Sequence, residues 1–203
     1  MGFSCTETVL RQALGDAAVD SLLSLHLMSF SPVNPSWLVP HVQLFPLDVN
    51  AGCDADAEPL HVLLATDLPP PYSAALTEEP VMYLSSCSIA LVQHWRVAMQ
   101  QQTRQTATER PVASVLDMCC GSGVQGICAA AADPHIAVTA LDLSPRAVRF
   151  TRFNAALNGL SRRITAECSD LYAAVPAGQR FRAILANPPY IPVPPALNAL
   201  ECR

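Results

Sequence analysis

Between residues 112 and 186 the apolar positions fall in short runs separated by polar or glycine-rich punctuation, and the runs alternate between strand and helix lengths. Val112-Ala113-Ser114-Val115-Leu116-Asp117 has the length and composition of a strand. Met118-Cys119-Cys120-Gly121-Ser122-Gly123-Val124-Gln125-Gly126 follows as a turn opening a helix, which small and apolar residues continue to Ala132. Ile136-Ala137-Val138-Thr139-Ala140-Leu141 is a second strand, ending at Asp142. Ser144 is placed to cap the next helix and Pro145 to open it, while Asn158-Gly159 closes it as a left-handed cap. A third strand spans about Arg163 to Cys168 and ends at Ser169-Asp170-Leu171. Phe181-Arg182-Ala183-Ile184-Leu185-Ala186 reads as a fourth, buried and parallel. This alternation predicts an α/β fold on a parallel sheet.

The first 110 residues carry less pattern. Thr6 to Ala13 and Ala17 to Met28 predict two helices split by Gly15-Asp16, and Pro32, Pro35 and Pro40 mark an irregular connection. Val42 to Leu47 and His61 to Thr66 predict strands flanking a polar turn, Asn50 to Asp56, and Pro69-Pro70-Pro71 breaks the chain again. Ser85 to Gln102 predicts a helix with Ile89, Val92, Trp95 and Val97 as its apolar contacts.

The chemistry concentrates at the end of the fourth predicted strand, in Asn187-Pro188-Pro189-Tyr190. The Asn187 side-chain oxygen and the Pro188 carbonyl can both accept hydrogen bonds from a planar NH2 group. Two consecutive prolines fix φ and remove two N–H groups, so the turn is stiff. Tyr190 can stack on a flat substrate. Such a turn suits an amide or amino nitrogen.

Read together, Leu-Asp-x-Cys-Cys-Gly-Ser-Gly, Leu-Asp-Leu-Ser-Pro-Arg-Ala, Asn-Ala-Ala-Leu-Asn-Gly, Ser-Asp-Leu-Tyr and Ala-Asn-Pro-Pro-Tyr-Ile-Pro resemble a class I S-adenosylmethionine-dependent methyltransferase. Within that superfamily the chain is most similar to the small-domain group that includes protein-glutamine and ribosomal-RNA guanine methyltransferases. The resemblance covers about residues 112 to 195. It implies a Rossmann-like parallel sheet with S-adenosyl-L-methionine as cofactor. Asp117, Cys119 and the turn Gly121-Ser122-Gly123 are then expected at the methionine end. Asp142, with Leu143 beside it, is expected at the ribose hydroxyls, and Asp170, with Leu171, at the adenine. Asn187 and Pro188 are expected to hold the target nitrogen, with Pro189 stiffening the turn and Tyr190 packing on the target. Cys119 stands where the family carries its first turn glycine. Cys87, in Tyr83-Leu84-Ser85-Ser86-Cys87-Ser88, stands where members often carry an acid.

The resemblance further implies more strands and helices after this turn, and only thirteen residues follow Tyr190. The expectation is therefore a methyltransferase domain over 81–203, missing its C-terminal strands, behind a small α+β extension over 1–80 that serves substrate recognition. A non-catalytic, truncated remnant is one alternative. Another comes from Gly121-Ser122-Gly123-Val124-Gln125-Gly126, which also fits a dinucleotide fingerprint with Asp142 as its ribose acid, and so an NAD(P)-dependent oxidoreductase. Asp117, four residues before the glycines, suits an ammonium group, and the Asn-Pro-Pro-Tyr turn has no task in hydride transfer.

Composition narrows the partners. The net charge of −5 disfavours extended binding to nucleic acid, which favours a basic face. The twelve basic residues are all arginine. The expected substrates are a protein glutamine or an RNA base rather than duplex DNA. Arg146, Arg149 and Arg152 share one side of a helix, which reads first as a solvated face and second as a phosphate stripe. The eight cysteines are scattered and form no C-x-x-C pair, so reduced thiols are expected. The histidines are spread singly, so no metal is expected. The sequence contains no membrane-spanning run, and Met1 to Thr6 lacks the flank and core of a signal peptide, which suggests the cytoplasm or an organelle. Met1 to Thr6 also fits a myristoylation pattern, but Ser4-Cys5-Thr6-Glu7 reads more simply as a capping box.

Overall fold

The computed structural model describes residues 4–24, 27–51, 58–68, 81, 84–105 and 113–189. Tyr190, the proline run at 69–71, most of the polar turn before Asp56, Tyr83 and the first three residues lie outside this set, as do the residues after Tyr190.

Four parallel strands form the central sheet: β6 (Ala113–Met118), β7 (Ile136–Asp142), β8 (Ile164–Cys168) and β9 (Ala183–Ala186). Their order is β8-β7-β6-β9. Helix α4 (Val124–Ala132) connects β6 to β7, and α5 (Pro145–Leu157) connects β7 to β8. This is the expected α/β, Rossmann-like arrangement. The chain leaves β6 toward β7 on one side and later returns with β9 on the other. The crevice at the carboxyl ends of β6 and β9 is thus a topological switch point, where α/β sheets take their ligands.

The local signals for these elements hold. Ser144 Oγ accepts from the Ala147 N–H at 3.4 Å, Pro145 opens α5, and Gly159 adopts a left-handed φ of 69° just beyond it. Strand β9 departs from its sequence pattern. It is parallel, but only Leu185 of its four residues is buried and Ile184 is 51% exposed. It pairs with β6 alone, and among the described residues no strand flanks its other side. The buried-strand expectation assumed two covered faces.

The N-terminal half is richer in strands than its proline pattern suggested. Strands β1 (Cys5–Thr6), β2 (Met28–Phe30) and β3 (Trp37–Pro40) form an antiparallel sheet in the order β1-β3-β2. The region expected to be an irregular connection therefore holds two of these strands, with the prolines at strand ends and in the intervening turn. Helix α1 (Glu7–Leu14) is capped by Thr6, whose side chain accepts from the Val9 N–H. The capping box expected from Ser4 does not form, because Glu7 is itself the first helical residue and its carboxylate pairs with Arg11 at 2.8 Å. Helix α2 (Asp16–Ser24) ends before Met28, which joins β2 instead.

Strands β4 (Val42–Asp48) and β5 (His61–Asp67) pair as the expected antiparallel hairpin. Leu47, Val49, Val62 and Leu64 share one apolar cluster with Val115, Ile127, Val138 and Leu185. The hairpin and the parallel sheet therefore share a core. Helix α3 (Ser86–Gln105) buries Val92 and Trp95 in the same cluster, while Val97 is 41% exposed. The 3.6-residue period running through Ile89 and Val92 to Trp95 passes Val97 by.

On the arginine side of α5, Arg149 and Arg152 are exposed, as a solvated face requires, but Arg146 and Arg152 also reach other elements. Arg146 reaches across to the buried Asp67 at the end of β5, with its Nε 2.9 Å from Oδ2. Asp67 Oδ2 also accepts the Val81 N–H at 2.7 Å. Arg152 donates twice to the Ala166 carbonyl on β8. Both side chains tie elements together, a use that one-helix periodicity does not reveal.

Candidate functional site

The predicted site residues that fall within the described set gather at the carboxyl ends of the four parallel strands. Met118 on β6 lies opposite Ala186 on β9, so Cys119 and Asn187 leave the sheet side by side. Leu141 on β7 pairs with both Met118 and Glu167, and the Ser169 N–H donates to the Asp142 carbonyl at 2.8 Å. The Asp117, Asp142 and Asp170 segments and the Asn187 turn thus line one edge.

Asp117 sits at the bottom of this edge and is 1% exposed. Its Oδ2 accepts the Gly126 N–H at 2.9 Å, whereas Oδ1 has no partner among the described residues. Gly126 is needed for that approach, because a Cβ there would lie 3.0 Å from Oδ2 and 2.8 Å from Val138 Cγ1. Burial, opposed by the Gly126 N–H and assisted by the charge of Asp142, pushes the carboxyl of Asp117 up to about 8. A buried carboxylate oxygen with no partner is the complement an ammonium group requires.

The turn above Asp117 is held through its backbone N–H groups by acceptors on the neighbouring strand β7. The Cys120 N–H donates to the Leu141 carbonyl, and the Gly121 N–H donates to Asp142 Oδ2 at 2.8 Å. Cys119 has a φ of 58°, in the left-handed region that favours glycine. Its thiol is pushed up, first by burial and then by the charges of Asp142 and Asp117. Ser122 is buried and Gly123 caps α4 with a left-handed φ of 79°.

Asp142 is half-buried. Its Oδ1 accepts the Ser144 N–H at 2.9 Å and its Oδ2 the Gly121 N–H, so each oxygen keeps further acceptor capacity. Two apolar side chains stand exposed beside it, Leu143 at 75% and Leu171 at 59%. Leu171 has a φ of 48°, and Asp170 is exposed. Exposed leucines on the turns after β7 and β8 are apolar side chains that a flat ligand could cover.

Asn187 is half-buried, with Pro188 and Pro189 exposed. Its Nδ2 donates to Ser88 Oγ at 3.1 Å and lies 3.6 Å from Cys87 Sγ, both in the first turn of α3. The carboxamide commits its NH2 to α3, and an amide oxygen can accept from further donors.

Sequence reasoning missed three contributors: Ser88, Asp67 and the pair Asn154 and Asn158. The two asparagines lie one turn apart on α5 and pair with β5 as a strand would. Asn154 accepts the Ala65 N–H at 2.7 Å and donates to the Ala65 carbonyl at 2.8 Å. Asn158 repeats this with Leu63 at 2.9 and 2.7 Å. Asn154 also donates to the Ser122 carbonyl at 2.9 Å, which joins the hairpin to the turn. The i, i+4 spacing of two asparagines was the available signal.

Residues 101–192 match the family described as "Methyltransferase small domain". A ribosomal protein uL3 glutamine methyltransferase of Burkholderia pseudomallei is 43% identical over 86 residues, covering 39% of this chain and 28% of that protein. A release factor glutamine methyltransferase of Rhodopirellula baltica is 34% identical over 99 residues, covering 49% and 33%. A ribosomal RNA small subunit methyltransferase C of Hamiltonella defensa is 40% identical over 76 residues, covering 37% and 21%. The chain spans no more than a third of the length of these relatives. The matched residues run just past the Asn-Pro-Pro-Tyr sequence and include every predicted site residue. Among the described residues, no helix is long and apolar enough to cross a membrane. No group of three or more His, Cys, Asp or Glu among them is arranged to hold a metal ion. Cys5, Cys119, Cys120, Cys128 and Cys168 are free thiols.

Proposed function

We propose that this domain transfers a methyl group from S-adenosyl-L-methionine to the side-chain amide nitrogen of a protein glutamine. The observation that carries the reading is the tethered carboxamide of Asn187 together with the partnerless, buried oxygen of Asp117, at the carboxyl ends of the neighbouring strands β9 and β6. The residues present fit the cofactor. Asp117 Oδ1 and the Gly121-Ser122-Gly123 turn would hold its ammonium-bearing end, Asp142 its ribose hydroxyls, and Leu143, Asp170 and Leu171 its base. The cofactor supplies an electrophilic methyl group on a sulfonium.

The chain's own residues do the rest by positioning. An amide nitrogen is a poor nucleophile because its lone pair is delocalised. Acceptance of its N–H groups by Asn187 Oδ1 and the Pro188 carbonyl favours a pyramidal nitrogen and fixes its direction. Tyr190 would stack on the target. Asn187 is no base, so the proton leaves to water. Of the two substrate classes, the net charge of −5 and the two glutamine-modifying relatives favour protein over RNA. The RNA-modifying relative keeps an amino group of an RNA base as the second reading. Residues 1–80 are the candidate for target recognition, with the β4–β5 hairpin anchoring them to the domain. A ribosomal or translation-factor target implies the cytoplasm or an organelle matrix.

The test is Asn187→Ala, with labelled methyl transfer followed on ribosomal-protein, release-factor and ribosomal-RNA fractions, and methylglutamine identified by mass. Turnover is expected to fall on the order of 10²–10³-fold, as for loss of one preorganised contact to a transition state. S-adenosylhomocysteine affinity is expected to stay near that of the parent. Turnover within about threefold of the parent would refute the mechanism.

A further inference from the structure

We infer that Ser88 is a positioning residue that fixes the carboxamide of Asn187 in the orientation amide methylation requires; this rests on the function proposed above. Asn187 is restrained from two directions. Pro188 holds its backbone extended by steric exclusion. Its side chain would otherwise rotate about the bond to the amide, where the energy profile is broad and nearly two-fold. That rotation exchanges an acceptor for a donor. A carboxamide turned by half a revolution presents NH2 to an incoming NH2, and the site loses its function without any change of fold.

Ser88 and Cys87 prevent the exchange. Ser88 Oγ is buried in the first turn of α3, 3.1 Å from Asn187 Nδ2, and Cys87 Sγ is 3.6 Å from the same nitrogen. The two acceptors engage the NH2 end. Because the carboxamide is planar, holding that end fixes both the plane and the direction of Oδ1. Ser88 can act as the acceptor because Ser85 Oγ, at 3.3 Å, is available to take the Ser88 proton. The contact is not required to dock α3, which is seated by Val92 and Trp95 in the core. The same segment begins at Val81, whose N–H is held by Asp67 and whose Cγ1 would lie 3.9 Å from a Cβ on Gly121.

The experiment uses the full chain labelled with 15N-asparagine. The side-chain NH2 signals of Asn187 are assigned by their loss in Asn187→Ala. In Ser88→Ala these signals should move toward those of a free asparagine and exchange faster with solvent, while Ser88→Thr should restore them. Turnover in Ser88→Ala should fall about tenfold, the kinetic equivalent of one hydrogen bond. Affinity for S-adenosylhomocysteine should stay within about twofold, and the threonine variant should recover turnover. Asn187 signals unchanged in Ser88→Ala, or a threonine variant that recovers neither signals nor turnover, overturns the inference. Parental turnover in Asn187→Ala, with the signals still displaced in Ser88→Ala, keeps the positioning contact and overturns the methyl-transfer reading instead.

Discussion

Asp117→Asn should make the domain more stable while disabling its cofactor site, and pH separates the two effects. The carboxyl is raised from 3.8 to about 8, with burial as the main cause. A raised folded-state value means that the folded chain holds a proton the unfolded chain has released. Stability from this group is therefore complete below the unfolded value and is lost as pH rises toward the folded one. The slope is about 1.4 kcal/mol per pH unit, so the parent should lose about 3 kcal/mol between pH 5 and 7 relative to a variant that cannot ionise. The loss should level off above about pH 8. Asparagine has nearly the same shape, and its oxygen can still accept the Gly126 N–H. Urea unfolding at unit pH steps on parent and variant gives the comparison. With saturating S-adenosylhomocysteine the parent's slope should flatten, because an ammonium at Oδ1 favours the carboxylate. Binding at pH 7 should release close to one proton, measurable by calorimetry in buffers of different ionisation enthalpy. Parallel pH profiles for parent and variant would refute the reasoning, since Asp117 would then be ionised throughout.

Two further substitutions probe the scaffold of the same site. Cys119→Val places a β-branched side chain at a φ of 58° and should cost about 1–2 kcal/mol, whereas in Cys119→Gly the relieved strain and the lost thiol packing should nearly cancel; thermal melts of both variants check this. Asn154→Ala strips partners from the Ala65 N–H and from the Ala65 and Ser122 carbonyls and should cost about 3–5 kcal/mol in urea unfolding, against about 1 kcal/mol for the more exposed Asn158→Ala.

What could be read from the sequence follows from where each signal is stored. The parallel strands, the caps of α5 and the residues at the strand ends are local patterns, and the structure brings these residues to one edge. The four-residue strand β9 was legible as a strand but not as an edge, because an apolar run does not record how many neighbours it has. Strands β1 to β3 escaped notice because they are two to four residues long and prolines punctuate them. Arg146 and Arg152 share one side of α5 by spacing, yet their partners, Asp67 and Ala166, lie on other strands. Ser88 and Asn187 are 99 residues apart, and no periodicity in either segment announces the bond between them.

These long-range contacts also explain how a small domain can hold a strained, partly unsatisfied site. The turn over Asp117 contains a non-glycine residue at positive φ and lies above a buried carboxyl group with a bare oxygen, both of which disfavour the folded state. Its stability must come from outside the turn. Asn154 supplies part of it, because one buried side chain bonds β5 on one side and the Ser122 carbonyl on the other. Asp142 supplies another part through the Gly121 N–H, and Asp67 fixes both Val81 and Arg146 beside it. The hairpin is thus a brace for the turn over Asp117 as well as a link to the N-terminal residues. A domain cut at the start of β6 would keep the motifs between residues 117 and 190 and lose Asp67, Ala65 and Ser88. Its residues would be correct in sequence and wrong in position.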